Sequence, residues 1–421
     1  MLMMQKEVHN LFEKFQVSSN IIKGERQALD PGFIPDRLPH REKEAEQIAG
    51  ILAPALDGKR PSNIIIFGKP GVGKTSVVRF VEREASRIID TRFNLKMKIV
   101  DINCGVVDSS YGVLLSIGNA LLGDWEDKLP FTGWPLDKMF NVVNERITNF
   151  GGIVIVVMDE IDRLVRKSGD SVIYQLLRIN ETSSKGKISI VGISNDLRFT
   201  DYLDPRVKSR LIEETIVFHP YNATQIYDIL RDRSLFSGIL ESIDDSSIRL
   251  CAAIAAQDQG DARRAIDLLR ISVEIAEMKQ FSKITDDIIY EAKQKLERDI
   301  VSETISTLPL HSKLTLLSAV LMDDIKKGSK TTMGEVYDLY SKAAQRIGVS
   351  SLTPRRIADI VGELSNLGIL ESQVQSFGRY GRTTMISVNY DPGRIKEILM
   401  NDEMIGILQD VKPSQKSLTE S

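Results

Sequence analysis

The chain predicts an α/β base, with helices on both faces of a parallel sheet, followed by an all-α lid and a C-terminal winged helix. Three observations lead there. An apolar strand at 64–67 feeds a glycine-bearing loop, which feeds a helix. A second apolar strand, 153–158, ends in two carboxylates, and strands apolar on both faces belong to parallel sheets covered on both sides. Beyond residue 300, three helical patterns precede a hairpin pattern with a cationic tip.

At 421 residues the chain has room for two or three domains, and an apolar share of 42% supplies their cores. The net charge of −3 means that any nucleic-acid site must be a local patch. Cys104 and Cys251 lie far apart, which points to a reducing compartment and no structural disulfide. The four histidines show no metal-ligand spacing with them. No apolar run has the length of a membrane span and no signal pattern opens the chain, so the expectation is a soluble, cytoplasmic protein without a membrane partner.

Residues 1–20 read as an N-terminal arm. In 29–42 three prolines enforce an extended path, and a helix follows with Ala45, Ile48, Ala49, Leu52 and Leu56 on one face. Just ahead of the first strand, such a segment can line an adenine or serve as an ordinary surface connection.

The loop Gly68-Lys69-Pro70-Gly71-Val72-Gly73-Lys74-Thr75 then has the spacing G-x-x-x-x-G-K-[ST] between strand and helix. Gly71, Val72, Gly73 and the first helical turn through Ser76 can cradle phosphates with backbone N–H groups, and the positive helix end faces the same anion. Lys74 is placed to reach the β and γ phosphates, and the Thr75 hydroxyl to ligate Mg²⁺.

The second strand is expected at 97–103. The carboxylates at the end of 153–158 are Asp159, placed to hold Mg²⁺ through water, and Glu160, placed to orient or deprotonate the attacking water. A fourth strand at 188–193 ends near Asn195, whose amide can reach a γ-phosphate or the water, although Asn also favours turns. A fifth strand is expected at 214–218. Before it, Arg206 and Arg210 stand four apart and share one helix face, either solvated or offered as an arginine finger to a neighbouring subunit's nucleotide. From Pro220 the pattern is helical, with Asn222 or Thr224 as a cap and a later helix opening at Gly260-Asp261-Ala262-Arg263-Arg264-Ala265. Residues of about 104–145 exceed a simple crossover and read as an insertion. In its aromatic, Gly and Pro cluster at 129–135, composition favours Trp134 as a loop anchor packed on the core.

In the last third, Thr353 suits an N-cap and Pro354 the first helical position. Ile357, Ile360, Val361, Leu364 and Leu367 form the apolar stripe. That leaves Arg355 and Arg356 at the helix N-terminus, where recognition helices contact base edges. The hairpin tip carries Arg379, Tyr380 and Arg382 between glycines. From Lys326 to Lys396 there are eleven Lys and Arg against six Asp and Glu, a local footprint suited to phosphate. Winged helices also dock proteins, so that reading stays open. The tail 412–421 is polar and expected to be disordered.

With these motifs in order, the chain resembles the archaeal origin-recognition (Orc/Cdc-type) replication initiators, which belong to the AAA+ ATPases. The resemblance covers nearly the whole chain: the segment 33–42, the phosphate loop, Asp159-Glu160, the box 260–265 and the winged helix. It implies that Asn195 is the first sensor, Arg263 the second sensor, and Arg210, or else Arg206, the finger. It implies that Tyr221 and Arg233 contact the nucleotide. It also implies that the insertion touches DNA through Thr132, Gly133 and Trp134, although a residue less bulky than Trp134 is expected after Gly133. The domains so implied are 1–20 (arm), 21–219 (base), 220–300 (lid), 301–411 (winged helix) and 412–421 (tail).

The function expected is an ATP-dependent initiator that binds double-stranded origin DNA. ATP and Mg²⁺ are its cofactors, slow hydrolysis to ADP is its switch, and a nucleoid-associated place follows. A replicative helicase or other initiator subunits are the implied partners. The alternatives are a regulatory AAA+ protein whose winged helix docks a protein, a paralogue that restrains origin firing, and a small-molecule P-loop kinase. The Asp-Glu pair, Asn195 and the lid arginines oppose the kinase.

Overall fold

The computed structural model describes residues 21–91, 95–122, 128–183, 185–257, 259–326, 330–376 and 382–408. It divides into two compact units, Met1–Ala292 and Lys293–Ser421.

The first unit is built on a five-stranded sheet: β1 (Ile64–Gly68), β2 (Met97–Asn103), β3 (Ile153–Asp159), β4 (Lys187–Ser194) and β5 (Glu214–Phe218). The spatial order is β2-β3-β4-β1-β5 and every pairing is parallel. The expected strands are all present. Register aligns their C-terminal ends: Asn103 pairs with Asp159, Asp159 with Ile193, Phe67 with Ser194, and Gly68 with Phe218. One edge of the sheet therefore gathers the residues that the motifs single out.

Alternation along the strands makes two cores. Ile64, Ile66, Ile155 and Val157 face α1 (Glu42–Leu52) and α2 (Lys74–Thr91). Ile65, Phe67, Val154 and Val156 face the opposite layer. That layer holds α3 (Ser110–Ala120), α4 (Leu136–Phe150), α5 (Ile161–Ser168), α6 (Ser171–Thr182) and α7 (Pro205–Leu211). α3 and α4 occupy the expected insertion, and Ser109 caps α3 by accepting from Gly112 N–H. α1 is shorter than its apolar pattern. It stops at Leu52, and Ala53–Asp57 continues as a 3-10 turn opened by Pro54 and closed by Gly58 at φ 71°, because proline cannot donate the next helical bond.

The helical part comprises α8 (Ala223–Phe236), α9 (Asp245–Gln257), α10 (Ala262–Met278) and the start of α11 (Asp286–Thr307), whose residues from Lys293 on belong to the second unit. Asn222 caps α8 in a reciprocal box with Gln225, and Asp261 caps α10 by accepting from Arg263 and Arg264 N–H. The lead segment packs on this part: Gly24 N–H donates to Ser237 O and Glu25 N–H to Phe236 O.

The second unit contains α12 (Leu310–Lys326), β6 (Thr331–Thr332), α13 (Met333–Arg346), α14 (Pro354–Asn366), β7 (Leu370–Ser376), β8 (Arg382–Val388) and α15 (Pro392–Met400). Its antiparallel sheet has the order β6-β8-β7. Leu317, Val320, Tyr340, Ile357, Val361 and Ile386 meet in one core. Thr353 caps α14 as expected; Ile357, Ile360, Val361 and Leu364 turn inward and Arg355 and Arg356 outward, but Leu367, expected in the same stripe, is the C-cap residue beyond Asn366 and is exposed. β6 and α15 are additional to the three helices and the hairpin expected from the sequence. The signal for α15 is Asp391-Pro392, where Asp391 caps through Gly393 N–H and Pro392 takes the first helical position.

Among the described residues no helix is long and apolar enough to cross a membrane.

Candidate functional site

A cavity of about 500 Å³ opens at the C-terminal edge of the large sheet, walled by the glycine loop, the lead segment and the helical part. Lys74 starts α2 at its floor and is only 5% exposed. Its Nζ donates to Gly68 O and Lys69 O at 2.8 Å and to Asn195 Oδ1 at 2.7 Å. Burial pushes the ammonium down from 10.5 to about 8; the Asp159 carboxylate opposes this and Arg263 adds to it. A buried cation held by neutral oxygens is a ready receptor for an anion.

The glycines of the loop are required by what lies against them. Gly71 has φ 73°, and a Cβ there would stand 1.7 Å from Asp261 Oδ1. Gly73 has φ 91°, and its Cβ would stand 2.7 Å from the Tyr221 hydroxyl. Ala262 N–H donates to Gly71 O at 3.1 Å, and Lys69 Nζ to Gln259 Oε1 at 3.3 Å. The box at 260–265 is thus docked directly on the phosphate loop, with Arg263 on the cavity wall.

Arg41 ties these parts together. It is 5% exposed; Nε donates to Val72 O at 3.1 Å and to the Tyr221 hydroxyl at 3.0 Å, and the terminal nitrogens donate to His219 O and Glu44. Its guanidinium lies 4.1 Å from the Tyr221 ring centroid. Nothing in the sequence singles it out, because its partners at 219 and 221 stand about 180 positions away.

The acidic edge lies opposite. Thr75 Oγ1 donates to Asp159 Oδ2 at 2.9 Å. Asp162, one turn on, is buried and accepts from Ser194 Oγ at 2.9 Å. Glu160 sits at φ 57°, ψ 41°, a left-handed backbone that is uncommon for a non-glycine residue and costs about 1–3 kcal/mol. Its carboxylate pairs with Arg163 Nε at 2.8 Å. Asn103 and Arg163, neither expected from the sequence, also line the cavity.

Of the residues expected at a nucleotide site, the cavity brings together Gly71, Gly73, Lys74, Thr75, Ser76, Asp159, Glu160, Asn195, Tyr221, Arg233 and Arg263. Val72 adds its backbone, while its side chain is buried in the core. Arg233 is held at the wall: it donates to Ala28 O and Phe33 O at 3.1 and 2.8 Å, stacks on Phe33, and burial lowers its pKa to about 10. Arg210 and Arg206 do not line the cavity of their own chain. Arg210 pairs with Glu181 at 2.6 Å, Arg206 with Asp204, and both guanidiniums lie within 6 Å of the Tyr174 ring centroid.

In the insertion, Thr132 and Gly133 are exposed, with Gly133 at φ 97°. Trp134 is half-buried against the core and carries Lys138 Nζ 4.0 Å from its ring centroid, while Phe131 is 83% exposed. In the second unit Arg355 and Arg356 are exposed, and Arg382 opens β8 opposite Ser376. Arg379 and Tyr380 lie outside the described residues, as do the arm 1–20 and the tail 412–421.

Three family models match along the chain: ATPase family associated with various cellular activities (AAA) over 64–219, Cdc6 AAA+ ATPase-type lid domain over 227–294, and CDC6, C terminal winged helix domain over 303–398. The chain is 43% identical over 399 residues to an ORC1-type DNA replication protein of Thermococcus kodakarensis, covering 94% of this chain and 95% of that one. It is 44% identical over 402 residues to one of Methanoculleus marisnigri, covering 93% of each. Among solved structures, the Aeropyrum pernix ORC1 protein in complex with DNA matches with a TM-score of 0.79 at 38% identity, over 93% of this chain and 100% of that one.

Proposed function

From the premise that this chain belongs to the ORC1-type DNA replication protein family, we propose that it is an ATP-dependent initiator that grips duplex origin DNA and uses slow ATP hydrolysis as a switch. The observation that carries the reading is the convergence of Lys74, Thr75, Asp159, Glu160 and Asn195 with the lid residue Arg263 around one cavity. Structural support for the DNA half comes from the relative in complex with DNA and from the exposed arginines of α14. The domain division that goes with it is arm 1–20, base 21–219, lid 220–300, winged helix 301–411 and tail 412–421.

Thr75 Oγ1 and Asp159 Oδ2, two hard oxygens 2.9 Å apart, fit Mg²⁺, which takes one or two protein oxygens and completes its shell with phosphate and water. When bound, the ion neutralises charge on the β and γ phosphates. Lys74 exchanges its carbonyl partners for phosphate oxygens, and Asn195 holds the γ-phosphate or the water. Glu160 accepts a proton as water attacks the γ-phosphorus and the bond to the β-phosphate oxygen breaks. Arg263 reaches the phosphates from the lid, and Tyr221 and Arg233 shape the remaining wall. Arg210 acts on the nucleotide of a second copy, with Arg206 beside it. An isolated chain therefore lacks the finger, a loss of about 10³–10⁵ in rate where such fingers operate.

Arg355 and Arg356 read base edges, Arg379, Tyr380 and Arg382 grip phosphates from the wing, and Thr132, Gly133 and Trp134 touch the duplex from the insertion. Other initiator subunits and a replicative helicase are the proposed protein partners, at the nucleoid in the cytoplasm. Filter binding of ATP to the full chain, repeated with duplex present, tests the reading. Saturable ATP binding that requires Lys74 supports it, and absence of nucleotide binding overturns it.

A further inference from the structure

Glu160 is the base in the reading above, yet its carboxylate is engaged elsewhere. Oε2 accepts from Arg163 Nε at 2.8 Å. The same oxygen rests against Gly105, where a Cβ would stand 2.7 Å from it. Asn103, at the end of the neighbouring strand, accepts from Gly105 N–H through its Oδ1 at 2.8 Å. Arg163 is the cation paired with the carboxylate. Its own N–H donates to Glu160 O at 2.9 Å, so the turn that carries the guanidinium is anchored to the residue it restrains. Both side chains reach the cavity.

The pair is one of three made by the short helix α5. Arg166 pairs with Asp196, next to Asn195, and Lys167 pairs with Asp108 in the segment after β2. One helix thus holds a carboxylate from each of the loops that follow β2, β3 and β4. The three cations are 62%, 54% and 64% exposed. Exposed pairs are weak, and one of them biases a side-chain equilibrium by at most about fivefold.

We propose that Arg163 is a positioning residue that withholds the Glu160 carboxylate from the attacking water and so contributes to slow turnover in the isolated chain. This rests on the reading of Glu160 as the base. The restraint has two parts, attraction to Arg163 and room made by Gly105, and each can be removed separately.

The test is single-turnover hydrolysis of γ-labelled ATP with Mg²⁺ by the full-length chain, with ATP affinity measured in parallel. Arg163→Ala should raise the rate by about two- to fivefold at unchanged ATP affinity. Arg163→Lys keeps a cation in reach and should stay near wild type. Gly105→Ala places a methyl 2.7 Å from Oε2 and 2.9 Å from Asn103 Oδ1, so it crowds the carboxylate in its present position and should also raise the rate with Arg163 intact. Adding Glu160→Gln to either should return the rate to that of Glu160→Gln alone. No rise with Arg163→Ala while Glu160→Gln is inactive overturns this proposal alone. A fall with Arg163→Ala overturns it too, since Arg163 would then assist the reaction. A wild-type rate in Glu160→Gln overturns the base assignment and this proposal together.

Discussion

The cleft of the first unit and the exposed start of α14 in the second carry their candidate residues in opposite ways. In the cleft the side chains are engaged before any ligand arrives: Lys74 with three oxygens, Thr75 with Asp159, Glu160 with Arg163, Arg41 with Val72, Tyr221 and His219. On α14, Arg355 and Arg356 stand in solvent, and the ion partner of Arg356, Asp359, is 3.8 Å away. A preorganised cleft spends folding energy on geometry, so a single change there should have a large effect on chemistry. An exposed cationic surface works through many small, salt-screened terms, so a single change there should have a modest one.

That contrast can be broken in order of expected size. Glu160→Gln should lower single-turnover ATP hydrolysis by about 10²–10⁴-fold while leaving ATP bound, because it removes the proton acceptor alone. Phosphate-release and binding assays on the same sample check both halves. Lys74→Ala should cost about 2–5 kcal/mol of ATP affinity, read by titration calorimetry, because it deletes a buried charged donor. Arg355→Ala or Arg356→Ala should cost about 1–3 kcal/mol for cognate duplex and far less for scrambled duplex, read by anisotropy. Equal losses on both duplexes would move these arginines from base edges to phosphates.

The smallest effect is one of pH. Burial lowers Lys74 to about 8, so raising pH through 8 removes its charge before phosphate arrives. ATP affinity should then fall by at most about tenfold per pH unit. Stability of the nucleotide-free chain moves the other way. Between about 8 and 10.5 the native state has released a proton that the unfolded chain still binds, so this group makes unfolding harder over that window. Denaturant midpoints at pH 7.5 and 9.5, for wild type and Lys74→Met, isolate the contribution.

The same contrast explains what could be read in the chain beforehand. The strand, loop and helix around Gly68–Thr75, the apolar strand into Asp159-Glu160 and the Thr353-Pro354 start of α14 are local patterns, and the structure has each at the expected place. What escaped is set by pairs distant in sequence. Arg41 has its partners near 220, and Asn103 and Arg163 enter the cavity wall only because register aligns the ends of β2 and β3. The loop glycines were legible as turn formers, but the side chains that exclude a Cβ, Asp261 and Tyr221, belong to the helical part. The apolar stripe of α1 ran on to Leu56 because periodicity does not see the helix end that Pro54 imposes. In the insertion, composition favours Trp134 as an anchor on the core; Trp134 is half-buried there, and Phe131 is exposed.

The central claim is that the nucleotide held in the first unit governs how the chain grips a double helix. Its most direct test is the affinity of the full-length chain for duplex origin DNA, measured across a salt series with ATP and again with ADP. The account predicts tighter binding in one nucleotide state than in the other, and loss of that difference in Lys74→Ala. Identical affinities and salt slopes with ATP, with ADP and in Lys74→Ala would contradict it.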